Sequence, residues 1–191
     1  MIYRIHPNIK DVLMLAFDGD KAREALGEDT DFHIDERPIS YYADWQPMEI
    51  RFSDAFGGKK KKETPDISLN VGKLFLSEKA FDCLKNLIEA NGELLPVRYD
   101  NKTGYIFNGL TTIKHNEKLS THDPMNNSFS IIFDESDTAC NSIFKTEIDY
   151  SAYFCQNEFK RIVEKNNLTG INFSEDIGNP FPVELSMRVE H

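Results

Sequence analysis

One pattern occurs twice in this chain and limits the folds open to it more than any other feature. In "LFLSEKAFDCLKNLIEANGELLPV" and in "AYFCQNEFKRIVEKNNLTGINF", an apolar run leads to one small polarisable residue, Ser77 in the first copy and Cys155 in the second. Four positions on stands a Phe (Phe81, Phe159), and eleven beyond that a Gly (Gly92, Gly170), after which the chain turns apolar again. The pattern predicts a strand, a capped helix, a glycine and a second strand, at about residues 73–97 and 152–173. The helical link is long enough for a parallel crossover. Two such units on a mostly antiparallel or mixed sheet predict an α+β domain.

Within the first unit Ser77 is a good N-cap, and Phe81, Leu84, Leu87 and Ile88 recur at helical spacing as one buried stripe. Gly92 is expected to end that helix in the left-handed conformation. In the second unit Phe159, Ile162 and Val163 are expected to face inward. Ahead of the units, "MIYRI" predicts an opening strand, and "DGDKAREALG" a short helix capped by Asp18 or Asp20 and stopped by Gly27. A polar stretch follows to about Ser40. "WQPMEIRF" then predicts a strand entered through Pro47, with Met48, Ile50 and Phe52 on one face. "ISLNV" and "KLFLS" are expected strands. "ELLPVRYD" and "GYIFNGLTTIK" form a hairpin about "DNKTG", and "SFSIIF" and "SIFKTEID" are strands joined by the acidic turn "DESDTACN". Residues 1–178 are read as a single α+β domain, and 179–191, where Val183, Leu185, Met187 and Val189 alternate, as a tail or extra strand.

Composition narrows the partners. At 191 residues, 40% hydrophobic and 12% aromatic, the chain can bury a substantial core. A net charge of −10 repels nucleic acid and anionic membranes and attracts a basic partner. No apolar run approaches the roughly 20 residues that span a bilayer. The start "MIYRIHPNIKD" has no secretory h-region, and three cysteines without CxxC spacing suit a reduced cytosolic protein. Glycosylation-like triplets at Asn101, Asn126 and Asn167 then mark surface turns only.

Cys155 has two readings. At a helix start the dipole would lower its thiol pKa, but a nucleophile also needs a base, and spacing places none of His6, His33, His115, His122 or His191 beside it. A cap position equivalent to Ser77 is the simpler reading. "HID" at His33–Asp35 and "HDP" at His122–Pro124 lie in polar surroundings that suit surface loops, and "DGD" at Asp18–Asp20 suits helix capping. "GGKKKKETPD" lacks the phosphate-loop arrangement and interleaved aromatics, so a solvated loop is expected. No nucleophile elbow, dinucleotide fingerprint or HExxH is present. No catalytic residue, metal ligand or cofactor is assigned. Asp134, Glu135 and Asp137 form the densest acidic cluster and are the candidate partner-binding residues, against the plainer reading of a solvated turn.

Taken in order, "MIYRI", "WQPMEIRF", "PDISLNVGKLFLSEKAFDCLKNLIEANGELLPV", "GYIFNGL" and "SAYFCQNEFKRIVEKNNLTGINF" resemble a family of small bacterial immunity proteins of the polymorphic toxin systems. Its domain was long catalogued only as one of unknown function. The resemblance runs from about Met1 to Phe173 and is strongest at Pro65-Asp66, at the Ser77-x3-Phe81 helix start and at Gly170-Ile171-Asn172-Phe173. Cys155 departs from the Ser the pattern favours, and the tail after Gly178 lies outside it. The resemblance implies a cytoplasmic, non-enzymatic protein that neutralises a cognate toxin, one often delivered by contact-dependent or type VI secretion and encoded by the adjacent gene. It supplies no catalytic residues. Two alternatives stand beside it: a small hydrolase or transferase using Cys155 with a histidine, and a non-enzymatic adaptor.

Overall fold

The computed structural model describes residues 1–57, 61–123 and 128–181. In chain order the elements are β1 (Ile2–Pro7), β2 (Met14–Ala16), α1 (Gly19–Leu26), β3 (Arg51–Ser53), β4 (Ile67–Asn70), β5 (Lys73–Ser77) and α2 (Glu78–Ile88). Then come β6 (Gly92–Tyr99), β7 (Lys102–Gly109), β8 (Thr121–Asp123), β9 (Ser128–Ser130), α3 (Glu135–Thr138), β10 (Ile143–Thr146), β11 (Asp149–Gln156), α4 (Asn157–Lys165) and β12 (Ile171–Ser174). The class is α+β with antiparallel sheets. Instead of one sheet carrying both units, each unit has its own four-stranded sheet, in the orders β4-β5-β7-β6 and β10-β11-β1-β12.

The two sheets have the same plan. β5 and β6 both pair antiparallel with β7, so they run parallel to each other, and α2 is a crossover over the inserted β7. β11 and β12 likewise flank β1, with α4 as the crossover. The second unit is therefore completed by the first strand of the chain. Strand alternation divides the side chains between two cores. Leu74 and Leu76 of β5, with Tyr153 and Cys155 of β11, enter a core shared with Ala80, Leu84, Phe159 and Val163 of the helices. Phe75 faces a second core on the outer side of the first sheet, and Ala152 and Phe154 a third on the outer side of the second. Each fully buried Phe or Leu contributes about 1.5–3 kcal/mol by leaving water, so the helices are held by this burial more than by propensity.

Two of the joints between the sheets are made by backbone bonds. At one, Ile67 N donates to Thr169 O at 2.9 Å, beside the bond of the same length from Asn8 N to Gly170 O that extends the β1–β12 ladder. The Asp66 carboxylate there accepts from Ser77 Oγ at 2.9 Å and Thr169 N at 3.1 Å. Pro65, Asp66, Ser77 and Gly170 thus meet at a structural joint. At the other, Lys145 N donates to Thr111 O and Ile113 N to Lys145 O.

Several expectations need correction. Cys155 is not a cap: it lies inside β11, paired with Tyr3 and Ile143, and Gln156 takes the N-cap position without a side-chain bond. The buried stripe of α2 is Ala80, Leu84 and Ile88, while Phe81 and Leu87 are half-buried and Phe81 stacks on Tyr105. Gly92 is extended (φ 178°) and opens β6 after a 3-10 turn at Glu89–Asn91. Its requirement is space, since a Cβ there would lie 2.9 Å from Gly109 Cα. The strand expected from Pro47 is regular only over Arg51–Ser53, although Met48 and Ile50 are buried as expected. "DESD" is a one-turn helix, not a hairpin turn. Asp18, by contrast, caps α1 as expected, accepting from Asp20 N and Lys21 N, and Gly27 ends it at φ 98°. The alternating positions Val183, Leu185, Met187 and Val189 lie outside the described residues.

Candidate functional site

Residues 27–50 link α1 to β3 with only one turn of 3-10 helix, at Tyr42–Asp44. A connection this long inside a compact domain is usually functional. It folds because it carries its own small core. Phe32 is fully buried and meets Phe17, Tyr41 and Trp45 at ring separations of 5.2, 4.9 and 5.1 Å. These rings close over the outer face of the first sheet.

Polar groups from that sheet, with Lys145 from β10 of the second, then fasten the backbone of the loop. Lys73 Nζ donates to Asp35 O at 2.5 Å, and Lys145 Nζ to Glu36 O at 2.7 Å. Glu93 accepts from Ser40 Oγ at 2.8 Å, Tyr41 N at 2.7 Å and Tyr42 N at 3.2 Å. Asn108 Nδ2 donates to both Ile39 O and Glu93 Oε1 at 2.8 Å, and Trp45 Nε1 donates to Pro96 O at 2.9 Å. Both lysines have no exposed surface. Burial lowers the Lys73 ammonium to about 8 and the Lys145 ammonium to about 7, the latter also opposed by its charged neighbour Lys73. Sequence reading missed this site. The available signal was a pair of lysines in strands otherwise apolar, "KLFLS" and "SIFKTEID".

What the loop presents outward is unlike what it buries. Ile34 is 63% exposed, Tyr42 73% and Ile39 39%. Between Gly27 and Gln46 stand six carboxylates (Glu28, Asp29, Asp31, Asp35, Glu36, Asp44) against one cation, Arg37, a net of −5 out of −10 for the chain. Arg37 is engaged by Asp35, whose carboxylate it holds below the usual range.

The predicted residues Asp134, Glu135 and Asp137 are all exposed, at the start of α3. Asp134 accepts from Asn116 Nδ2 at 2.8 Å. Exposed Ile132 and Leu119 lie in the same region, where Asn116 N donates to Ile132 O and Leu119 N to Asn116 O. The segment that follows α3 and the loop both bond to residues at the start of β6. Asn91 Nδ2 donates to Asn141 Oδ1 at 2.8 Å just beyond α3, and Glu93, two residues along, holds the loop.

Cys155 is fully buried, and burial raises its thiol well above the usual range. Iodoacetamide at pH 7 should therefore modify exposed Cys140 and react with Cys155 on the order of a hundredfold more slowly until urea unfolds the chain. Equal rates by mass spectrometry would contradict the buried placement. His33 packs over Gly19, where a Cβ would lie 2.9 Å from its Nε2. The side chain of His122 and all of Pro124 lie outside what is described. Of the lysine run, Lys62 donates to Asp54 at 2.7 Å and to Ile9 O at 3.0 Å, while Gly58 to Lys60 lie outside the described residues. No group of three or more metal-ligating side chains occurs among the described residues. Nor, among them, is any helix long and apolar enough to cross a membrane. The open cavities among the described residues include one of about 540 Å³ lined by Lys21, Glu24, Met48 and Arg98, and an apolar one of about 350 Å³ beside the Arg4–Asp149 ion pair. No family model matches the chain, and no curated protein matches it either.

Proposed function

We propose that this chain is a cytoplasmic immunity protein that binds a cognate bacterial toxin and neutralises it stoichiometrically by occlusion. The observation that carries the reading is surface chemistry. Exposed apolar side chains stand among carboxylates on a tightly bonded scaffold, the combination that anchors and steers a protein partner. The sequence resemblance to immunity proteins of polymorphic toxin and type VI secretion systems supports it. Occlusion needs an interface of about 1,600 Å² in total, and the chain has 10853 Å² of accessible surface to offer. A toxin with a basic substrate groove would be drawn to the negative field before contact.

The test is co-expression with the product of the adjacent reading frame, directed in turn to cytoplasm and periplasm. The expected result is growth arrest relieved by this chain, together with a complex that co-purifies at a fixed ratio. Arrest that this chain leaves untouched would overturn the reading.

A further inference from the structure

Taking the immunity reading as its basis, we infer that the Gly27–Gln46 loop is the gripping surface of this protein, and that it fits a basic protein groove with an apolar floor. Three independent features of the loop point the same way.

The first is rigidity. Buried side chains from three strands of the first sheet (Lys73, Glu93, Asn108) and one of the second (Lys145) bond to loop backbone, so the loop is set before any partner arrives. A preset loop loses little conformational entropy on binding. The second is what that bonding holds in water. Ile34 and Tyr42 are among the most exposed large apolar side chains described, on a loop that buries Phe32 completely. A loop with its own aromatic core has no folding reason to leave both outside. Tyr presents a broad, stiff contact surface and is enriched at the energetic centres of interfaces.

The third is charge, which commits the partner. Half the net charge of the chain lies on these twenty residues, and of its carboxylates only Asp35 forms an ion pair among the described residues. An acidic partner, a nucleic acid or an anionic membrane would be repelled. A groove lined with Lys and Arg would be attracted, and Ile34 and Tyr42 would supply the contact that holds it. α3 flanks the same end of β6, so its carboxylates extend the field at the rim without serving as anchors.

The test uses the full chain and the purified product of the adjacent reading frame, with binding followed by surface plasmon resonance at several salt concentrations. Tyr42→Ala and Ile34→Ala should each weaken binding roughly tenfold or more through faster dissociation, with unchanged thermal midpoints because both side chains are exposed. The combined Glu28→Gln, Asp29→Asn, Asp31→Asn and Asp44→Asn variant should slow association and flatten its dependence on salt. Glu93→Gln alters no exposed side chain. It should speed amide exchange at Tyr41 and Tyr42 and weaken binding with them, marking Glu93 as a positioning residue. Neutralising Asp134, Glu135 and Asp137 together should change association only. If the complex forms but survives the loop substitutions, or is lost only with the α3 substitutions, the loop assignment is wrong and the immunity reading stands. If no complex and no rescue occur, both fall together.

Discussion

Gly170→Ala should lower the unfolding free energy by about 3–5 kcal/mol, enough to leave a domain of ordinary stability marginally folded. Two effects combine. Gly170 sits at φ 111°, where any side chain is strained by about 1–3 kcal/mol. A Cβ there would also fall within 2.5 Å of Pro65 Cβ and closer still to the Ile67 carbonyl. Those atoms cannot move aside, because Ile67 N is bonded to Thr169 O, Asn8 N to Gly170 O and the Asp66 carboxylate to Thr169 N. Gly27→Ala is the control: its φ is 98°, yet a Cβ there meets nothing within 4 Å, so only the strain of about 1–2 kcal/mol remains. Urea unfolding of both variants separates the two effects. A Gly170→Ala loss no larger than that of Gly27→Ala would show that the joint between the sheets has slack.

The same glycine shows what local sequence could and could not convey. Both units were legible because strand alternation, helical spacing and a glycine are short-range signals, and they correctly placed β5, α2, β6, β11, α4 and β12. The alignment of the two copies misled by one residue at the helix start. In the first copy Ser77 both ends the strand and caps the helix. In the second, Tyr3 and Ile143 hold Cys155 inside the sheet with its side chain in the core, so the cap falls to Gln156. That outcome depends on β1, which lies some 150 positions away in the chain. Insertion of β1 between β11 and β12 is a tertiary fact with no local signature. The candidate site was hidden for a related reason. Lys73 and Lys145 would ordinarily mark solvent-facing positions. Their burial becomes sensible only once Asp35 O and Glu36 O arrive from a loop that sequence showed merely as a polar stretch.

Those two lysines also predict an unusual dependence of stability on pH. A lysine whose folded pKa lies below its ordinary 10.5 releases its proton in the native state while the unfolded chain still holds it. The unfolded state then binds more protons, so stability rises with pH. The penalty is fully present below about 7, where both ammoniums are charged and buried, and is relieved as pH rises toward 10.5. Burial lifts the Cys155 thiol and the Tyr153 hydroxyl above their ordinary 9.0 and 10.0, which reverses the sign on the alkaline side. There the unfolded chain ionises first and stability falls. His6, lowered to about 4 by burial and by Arg4, adds a loss as pH drops below its ordinary 6.5. Stability should therefore peak near pH 9 instead of the usual 5–8, gaining on the order of 2 kcal/mol between pH 7 and 9. Lys145→Met keeps the volume and removes the titration. It leaves Glu36 O without its donor, a loss of about 1–3 kcal/mol that is the same at every pH. Urea unfolding at pH 7, 8 and 9 should thus give a variant that is offset from the parent and roughly half as steep, with Lys73→Met removing much of the remainder. An unchanged slope in both variants would mean that the two amines stay charged inside the protein, held by the carbonyls of Asp35 and Glu36 strongly enough to cancel the effect of burial.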